Sequence, residues 1–502
     1  MYAGFGFRTS EIGDVEVVYH EGRYHLFHLV LPNHDYIAHA VSDDGLNWTR
    51  VENALFISDP GSWDDDMLWT MSVSPDPHRD GGWRMFYTGL TLAERGRVQR
   101  IGLARSSDLI RWRKETDGHF PLQLQGPPYE YGLDQGRNWV SFRDPYFLRA
   151  ANNGYLLAAA RVDRGPVIRR GCVALFEEVE EDRFEPRAPL FFPSRYDDME
   201  VPVLVPLEGR WYLLGSIRED VKVHYWYADD FHGPYLNFSD NVLLPQGNYA
   251  ARVCHDGDRW LVWNFFFKGK VTDGEHLLPP PKELRCDADG ELYLSSFKGF
   301  DQRVRRTAES GDLLPLEILF GQESAHSEIR DGVALFGCES GFEAFLLPGE
   351  HRDFRLTGEL HMDGTGKAGL VLRISPEADG YYLSLDLKKG IAQLRGWATR
   401  AGGTGEGAFQ YTPLQSGYYE PHLDPHPFSL IAYGSYLEFS IDHKVLLSLA
   451  DEGFSEGRVG FYTESAGLRI HGLRLETLEV REDEPYTTHV TEGRGAPGSR
   501  GE

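Results

Sequence analysis

Between residues 10 and 300 the chain alternates short apolar, β-branched and aromatic runs with turns rich in Gly and Asp, and no stretch sustains a helical period. These runs repeat. One unit reads Val15-Glu16-Val17-Val18-Tyr19, a turn at Glu21-Gly22, Tyr24-His25-Leu26-Phe27, then Ile37-Ala38-His39-Ala40-Val41-Ser42-Asp43 and Trp48. A second runs through Trp69-Thr70-Met71-Ser72-Val73, Gly81-Gly82, Trp83-Arg84-Met85-Phe86-Tyr87, Ile101-Gly102-Leu103-Ala104 and Ser106, Asp108 and Trp112. Weaker copies begin at Asp144, Glu200 and Tyr249, with turns at Gly154, Gly209 and Gly257. Units of about 45 to 55 residues built this way are the signature of propeller blades. Residues 1–300 are therefore predicted to form a five-bladed β-propeller. The recurring Ser42, Asp43, Trp48 and Ser106, Asp108, Trp112 read as blade architecture.

After residue 310 the texture changes. Phe354-Arg355-Leu356-Thr357-Gly358-Glu359-Leu360, Ala368-Gly369-Leu370-Val371-Leu372-Arg373 and Leu437-Glu438-Phe439-Ser440-Ile441 alternate in and out, as half-buried strands of a β-sandwich do. The chain is thus all-β, with a propeller at 1–300, a connection at 301–320, a sandwich at 321–480 and a tail at 481–502. Leu313, Leu314, Pro315 and Leu316 make the connection a packed one. In the tail apolar residues nearly vanish, so burial cannot offset ordering entropy and disorder is expected.

In a propeller the innermost strand of each blade lines the central channel, and residues at its start share one mouth. Asp14, Asp144 and Glu200 fall at that place in three units. A lone Asp at a β-turn usually caps backbone amides; three acids at one phase point instead to chemistry. Glycoside cleavage needs one carboxylate to attack or activate water and one protonated carboxyl to release the leaving oxygen. Arg143, beside Asp144, supplies a cation that favours an ionised neighbour.

Around these acids the order Asp14, Tyr24-His25-Leu26-Phe27, Phe86-Tyr87-Thr88-Gly89, Phe142-Arg143-Asp144-Pro145 and Met199-Glu200-Val201-Pro202 resembles glycoside hydrolase family 32, the invertases, inulinases and levanases. The segment Leu278-Pro279-Pro280-Pro281-Lys282-Glu283-Leu284 is similar to that family's Leu-Pro-Arg-Glu-Leu stretch, and Asn248-Tyr249-Ala250 to its Asp-Phe-Tyr-Ala block. The resemblance implies a five-bladed propeller with a β-sandwich. It also implies Asp14 as nucleophile, Asp144 as the residue that binds sugar hydroxyls and stabilises the transition state, Glu200 as acid/base, and Arg143, Trp63, Trp69, Thr70 and Tyr249 around the sugar. The expected activity is retaining hydrolysis of β-fructofuranosides or related furanosides, with the catalytic carboxyls roughly 5 to 5.5 Å apart. A gap above about 6.5 Å belongs to an inverting arabinofuranosidase or xylosidase of the family 43 kind. A non-catalytic sugar-binding protein on the same scaffold is the remaining alternative. This chain departs from the family at the nucleophile. Gly13-Asp14-Val15-Glu16-Val17 replaces Asn-Asp-Pro-Asn-Gly, His28-Leu29 replaces Tyr-Gln, and Val201 replaces Cys, so the sugar is expected to be held differently.

With 51 basic against 77 acidic residues, the formal net charge is -26. That excess disfavours nucleic acid or an anionic membrane as partner and leaves an oligosaccharide or small glycoside. Residues 1–9 carry neither a basic leader nor an apolar run, and a soluble, unexported, cytoplasmic protein is expected. Cys172, Cys254, Cys286 and Cys338 lack metal spacing and read as buried free thiols. Asp64, Asp65 and Asp66 lack the spaced ligands of a calcium loop and read as a solvated or sugar-binding turn. His20, His25, His28, His34 and His39 read as packing or hydroxyl partners. Trp139 and Trp263, with Trp63 and Trp69, are candidate stacking surfaces for sugars. No cofactor or metal is expected, and oligomeric state is unspecified.

Overall fold

The computed structural model describes residues 1–2, 11–116, 118–267, 269–270, 276–364, 366–399 and 408–481. Among these, helix amounts to a few short 3-10 turns and one four-residue α-turn, Ser310–Leu313. Everything else regular is strand. Five antiparallel meanders follow one another in sequence, and their inner strands are Glu11–His20, Met67–Pro75, Phe142–Ala150, Glu200–Leu207 and Asn248–His255. These are the five blades. Second strands lie between neighbouring blades and are buried on both faces: every residue of Trp83–Leu90 is buried, as is all of Asn153–Arg161 except its first. Their sequences are near-continuous apolar runs for that reason. Tyr2 pairs with Leu278, whose N–H donates to the Tyr2 carbonyl at 3.0 Å, and so ties the start of the chain to blade five.

The repeated Ser-Asp feature is a turn device. Asp108 accepts the N–H groups of Ile110 and Arg111 at 2.9 and 2.8 Å, and Asp44 accepts those of Leu46 and Asn47 at 2.8 Å each. The counterpart of Asp108 is thus Asp44, one residue beyond the Asp43 that the repeat suggested. Asp43 instead pairs with Arg23 at the surface.

Beyond the propeller, strands of the sandwich join in one large sheet that folds over its own core. Its spine is Arg458–Leu478, which pairs in turn with Val333–Leu346, Lys367–Ile374, Phe354–Asp363 and Val304–Glu309. The last of these lies in the connecting segment, where Leu313 and Leu316 also enter the core. That core is continuous with the propeller: Val15, Trp48, Trp263 and Phe266 of blades one and five belong to the same cluster as Phe300, Leu356, Tyr433 and Tyr436. Asn248 donates from its amide to the Ser448 carbonyl at 3.0 Å, and Gln415 to the Gln246 carbonyl at 3.1 Å. The sandwich therefore braces the start of blade five's inner strand, next to Tyr249. All four cysteines are free, three buried and Cys286 half-buried. Arg481 ends the described chain; the rest of the tail lies outside the described residues.

Candidate active site

Each inner strand carries an irregularity near its start. Pairing with the second strand slips between Ile12 and Val15, Trp69 and Met71, Arg143 and Tyr146, Glu200 and Val203, and Tyr249 and Arg252. A bulge of this kind bends the strand and re-aims its side chains. Asp144, Val201 and Ala250 occupy the same place in their bulges, all with left-handed backbone, at φ 57°, 50° and 54°. Such a conformation costs about 1 to 3 kcal/mol in a residue other than Gly, and it persists where the surroundings fix it. Here each bulge N–H is tied to the blade before it: Asp144 donates to the Thr88 hydroxyl at 3.1 Å, Val201 to Asp144 Oδ2 at 3.0 Å, and Ala250 to the Ser216 hydroxyl at 3.0 Å.

The three acids do not share one phase, as the repeat had suggested. Glu200 is the last paired residue before its bulge, Asp144 the first bulged residue, and Asp14 the second. Because the bulge breaks strict alternation, three successive positions point into one cavity of about 710 Å³. Asp14, Thr70, Arg143, Asp144, Glu200 and Tyr249 all line it. Thr70 donates its hydroxyl to Asp14 Oδ2, Arg143 donates to Glu200 Oε1 at 2.7 Å, and the Tyr249 hydroxyl donates to Glu200 Oε2. The Arg143 guanidinium also lies 3.6 Å from Asp144 Oδ2 and 3.3 Å from Asp198 Oδ2. Burial lifts the Asp14 carboxyl to about 7; repulsion from Asp144 and Glu200 adds to this, against the Thr70 hydrogen bond and Arg252. Asp144 is raised as well, by burial first and against Arg143.

Residues 15–256 match the family model described as glycosyl hydrolases family 32 N-terminal domain, a span that holds Asp144, Glu200 and Tyr249 and begins next to Asp14. Residues 15–256 are a glycoside hydrolase family 32 N-terminal domain. A levanase of Bacillus sp. (strain L7) is 34% identical over 157 residues, which span 29% of this chain and only 16% of that protein's length. Fructan 1-exohydrolase IIa from Cichorium intybus has the same fold, with a TM-score of 0.68 at 14% identity over 95% of this chain and 96% of its own. Sucrose-6-phosphate hydrolase from Lactobacillus gasseri superposes with a TM-score of 0.66 at 16% identity, over 93% and 91% of the two chains.

Two family departures become physical objects in this structure. Glu16, standing where family 32 has an amide, is directed away from the cavity: its carboxylate lies 3.2 Å from Arg252 Nε, and both residues are buried. Arg252, on blade five, donates to the carbonyls of Met71, Pro145 and Pro202 at 3.1, 3.0 and 3.1 Å. One guanidinium thus reaches all four other blades, at residues one or two positions beyond Asp14, Thr70, Asp144 and Glu200. The second departure, Leu29, lines the cavity with Leu31 and Gly13, so an apolar wall stands where the family presents amides.

The remaining candidates divide. Trp69 and Trp139 line the cavity; the Trp69 indole N–H has no hydrogen-bond partner, and the Arg137 guanidinium lies 4.2 Å over the Trp139 ring. Trp63 is not among the lining residues, because its ring stacks on Tyr87 and fills the space above Gly89 and Gly102. Trp263 is fully buried between Tyr24 and Trp48. Asp64 accepts from Tyr87 and Lys114, and Asp65 from Gly61, Thr91 and Leu92, so this turn is structural. His34 lines the cavity with an unpartnered Nδ1, and burial holds its imidazole down to about 4. Gln99, Asp198 and Arg218 also line it, and nothing in their local sequence set them apart.

Proposed function

We propose that this protein is a retaining glycoside hydrolase of β-fructofuranosides or related furanosides. The observation that carries the reading is the convergence of Asp14, Asp144 and Glu200 from three bulged inner strands on one cavity. An Asp14 oxygen attacks the anomeric carbon while the glycosidic C–O bond breaks and protonated Glu200 gives its proton to the leaving oxygen. Water then attacks the same carbon, passes a proton to Glu200 and frees Asp14. Asp144 accepts ring hydroxyls, Arg143 and Tyr249 hold both oxygens of Glu200 in place, and Thr70 fixes Asp14. Trp69 and His34, which line the same cavity, border the sugar. Because Gly13 and Leu29 replace amides and Leu31 lies beside them, the sugar is gripped less through polar contacts on that wall, and sucrose is not the main substrate.

The test is a product profile on aryl furanosides, sucrose, a phosphorylated sucrose, inulin and levan, with the anomer of the first product read by NMR. Release of furanose with retained configuration by wild type, and its loss in Asp14→Asn, is expected. Saturable sugar binding without turnover on any of these would overturn the enzymatic reading, and inverted product would overturn the double displacement.

A further inference from the structure

The sandwich carries a second convergence of side chains, none of which lines the catalytic cavity. Pro421-His422-Leu423-Asp424-Pro425-His426 leads into the strand His426–Tyr433, whose neighbour Tyr436–Ile441 ends at Asp442. Asp442 and His443 both take left-handed backbone, at φ 51° and 64°, and the Asp442 N–H donates to the Pro427 carbonyl at 2.8 Å. This turn carries the Asp442 carboxylate back over the start of the paired strand. His426 Nδ1 lies 3.1 and 2.9 Å from the two Asp442 oxygens, and His422 Nε2 lies 3.3 Å from Oδ2. The two imidazoles stack with centroids 3.9 Å apart.

Three features set this cluster apart from an ordinary surface His-Asp pair. First, one ligand atom from each residue lies within 4.8 Å of the others, and both ring nitrogens lie about one coordination edge from the carboxylate. Ligands at roughly 2.0 to 2.1 Å from a common zinc ion are separated by about 3.0 to 3.4 Å. Second, His426 is 2% exposed and its Nε2 has no hydrogen-bond partner, so the polar contacts of a buried ring are all made on the Nδ1 edge. A polar side chain at that depth is ordinarily satisfied at every atom. Third, His422 and His426 border a cavity of about 340 Å³ together with His361 and Asp424, which gives an ion an entry path and room for water ligands.

We propose that His422, His426 and Asp442 form a binding site for a divalent transition-metal ion of the zinc type. Two imidazoles and one carboxylate suit zinc, nickel or copper, whereas calcium and magnesium prefer sets made wholly of oxygens. Three protein ligands leave the remaining positions to water in the cavity. The bound ion staples residues 421–426 to the turn at 442–443, which joins the loop ahead of one strand to the far end of its partner.

Titration calorimetry of the metal-stripped full chain with zinc chloride tests this. One ion per chain is expected, with binding weakened at least about tenfold in His422→Ala and in Asp442→Asn, since even residues behind a metal ligand change affinity by that factor. His422 is exposed, so its loss leaves the fold intact, and zinc should raise the melting temperature of wild type but not of His422→Ala. Absence of saturable zinc binding, undiminished binding in both variants, or displacement of zinc by calcium would each overturn the proposal.

Discussion

Glu16→Gln isolates the electrostatics of the propeller axis. Burial lifts the Glu16 carboxyl from 4.5 to about 8, even though Arg252 pulls in the opposite direction. Each tenfold change in acidity is worth about 1.4 kcal/mol, so ionising Glu16 costs about 5 kcal/mol more in the folded protein than in the unfolded chain. A carboxyl raised in this way contributes its full stability below about 4.5 and loses it as pH climbs through about 8. Glutamine matches the protonated acid in shape and hydrogen-bonding capacity, and it does not titrate. The variant should therefore equal wild type near pH 4.5, exceed it by about 3 kcal/mol at pH 7, and by about 5 kcal/mol at pH 9. Urea unfolding followed by tryptophan fluorescence at these three pH values measures the difference. A variant no more stable than wild type at pH 9 refutes the reasoning, because the ion pair with Arg252 would then outweigh the desolvation of both groups.

Three further outcomes follow from the site. Glu200→Gln should lower kcat by about 10² to 10⁴ on a substrate with a poor leaving group and by much less on an activated aryl glycoside, which needs no proton; steady-state kinetics on both substrates separates the cases. The acid limb of kcat/KM should fall near pH 7, since Asp14 attacks only when ionised, and Arg252→Gln should move that limb upward by removing a cation that lowers Asp14; a pH-rate profile reads both. Tyr249→Phe removes one of two hydrogen bonds to Glu200 and should reduce kcat about tenfold with little change in KM, which an initial-rate series on one aryl furanoside checks.

Much of the fold could be read from the chain because blades repeat locally. Each meander closes within its own stretch of sequence, and its turns leave Gly and Asp at regular intervals. The acids were found by that repeat, yet their stagger was not, since a bulge depends on which residue of the second strand each one faces. Arg252 escaped altogether. Its partners lie 50, 107 and 181 residues away, and three of its four contacts are to backbone carbonyls, which leave no mark in side-chain identity. Trp63 shows the converse error, because an aromatic beside an acidic turn looks the same in sequence whether it faces sugar or, as here, packs on Tyr87.

The position of Arg252 bears on when the active site can exist during folding. It belongs to the last blade made, and its guanidinium binds carbonyls of blades two, three and four and the carboxylate of blade one. Four blades without the fifth would leave those groups facing an open axis, with mutually repelling acids beside them and no cation beneath. The ring therefore gains its centre only on closure, which the Tyr2 to Leu278 clasp completes from the opposite end of the propeller's sequence. The contacts that centre the acids are thus shared among all five blades, and no four of them supply the set.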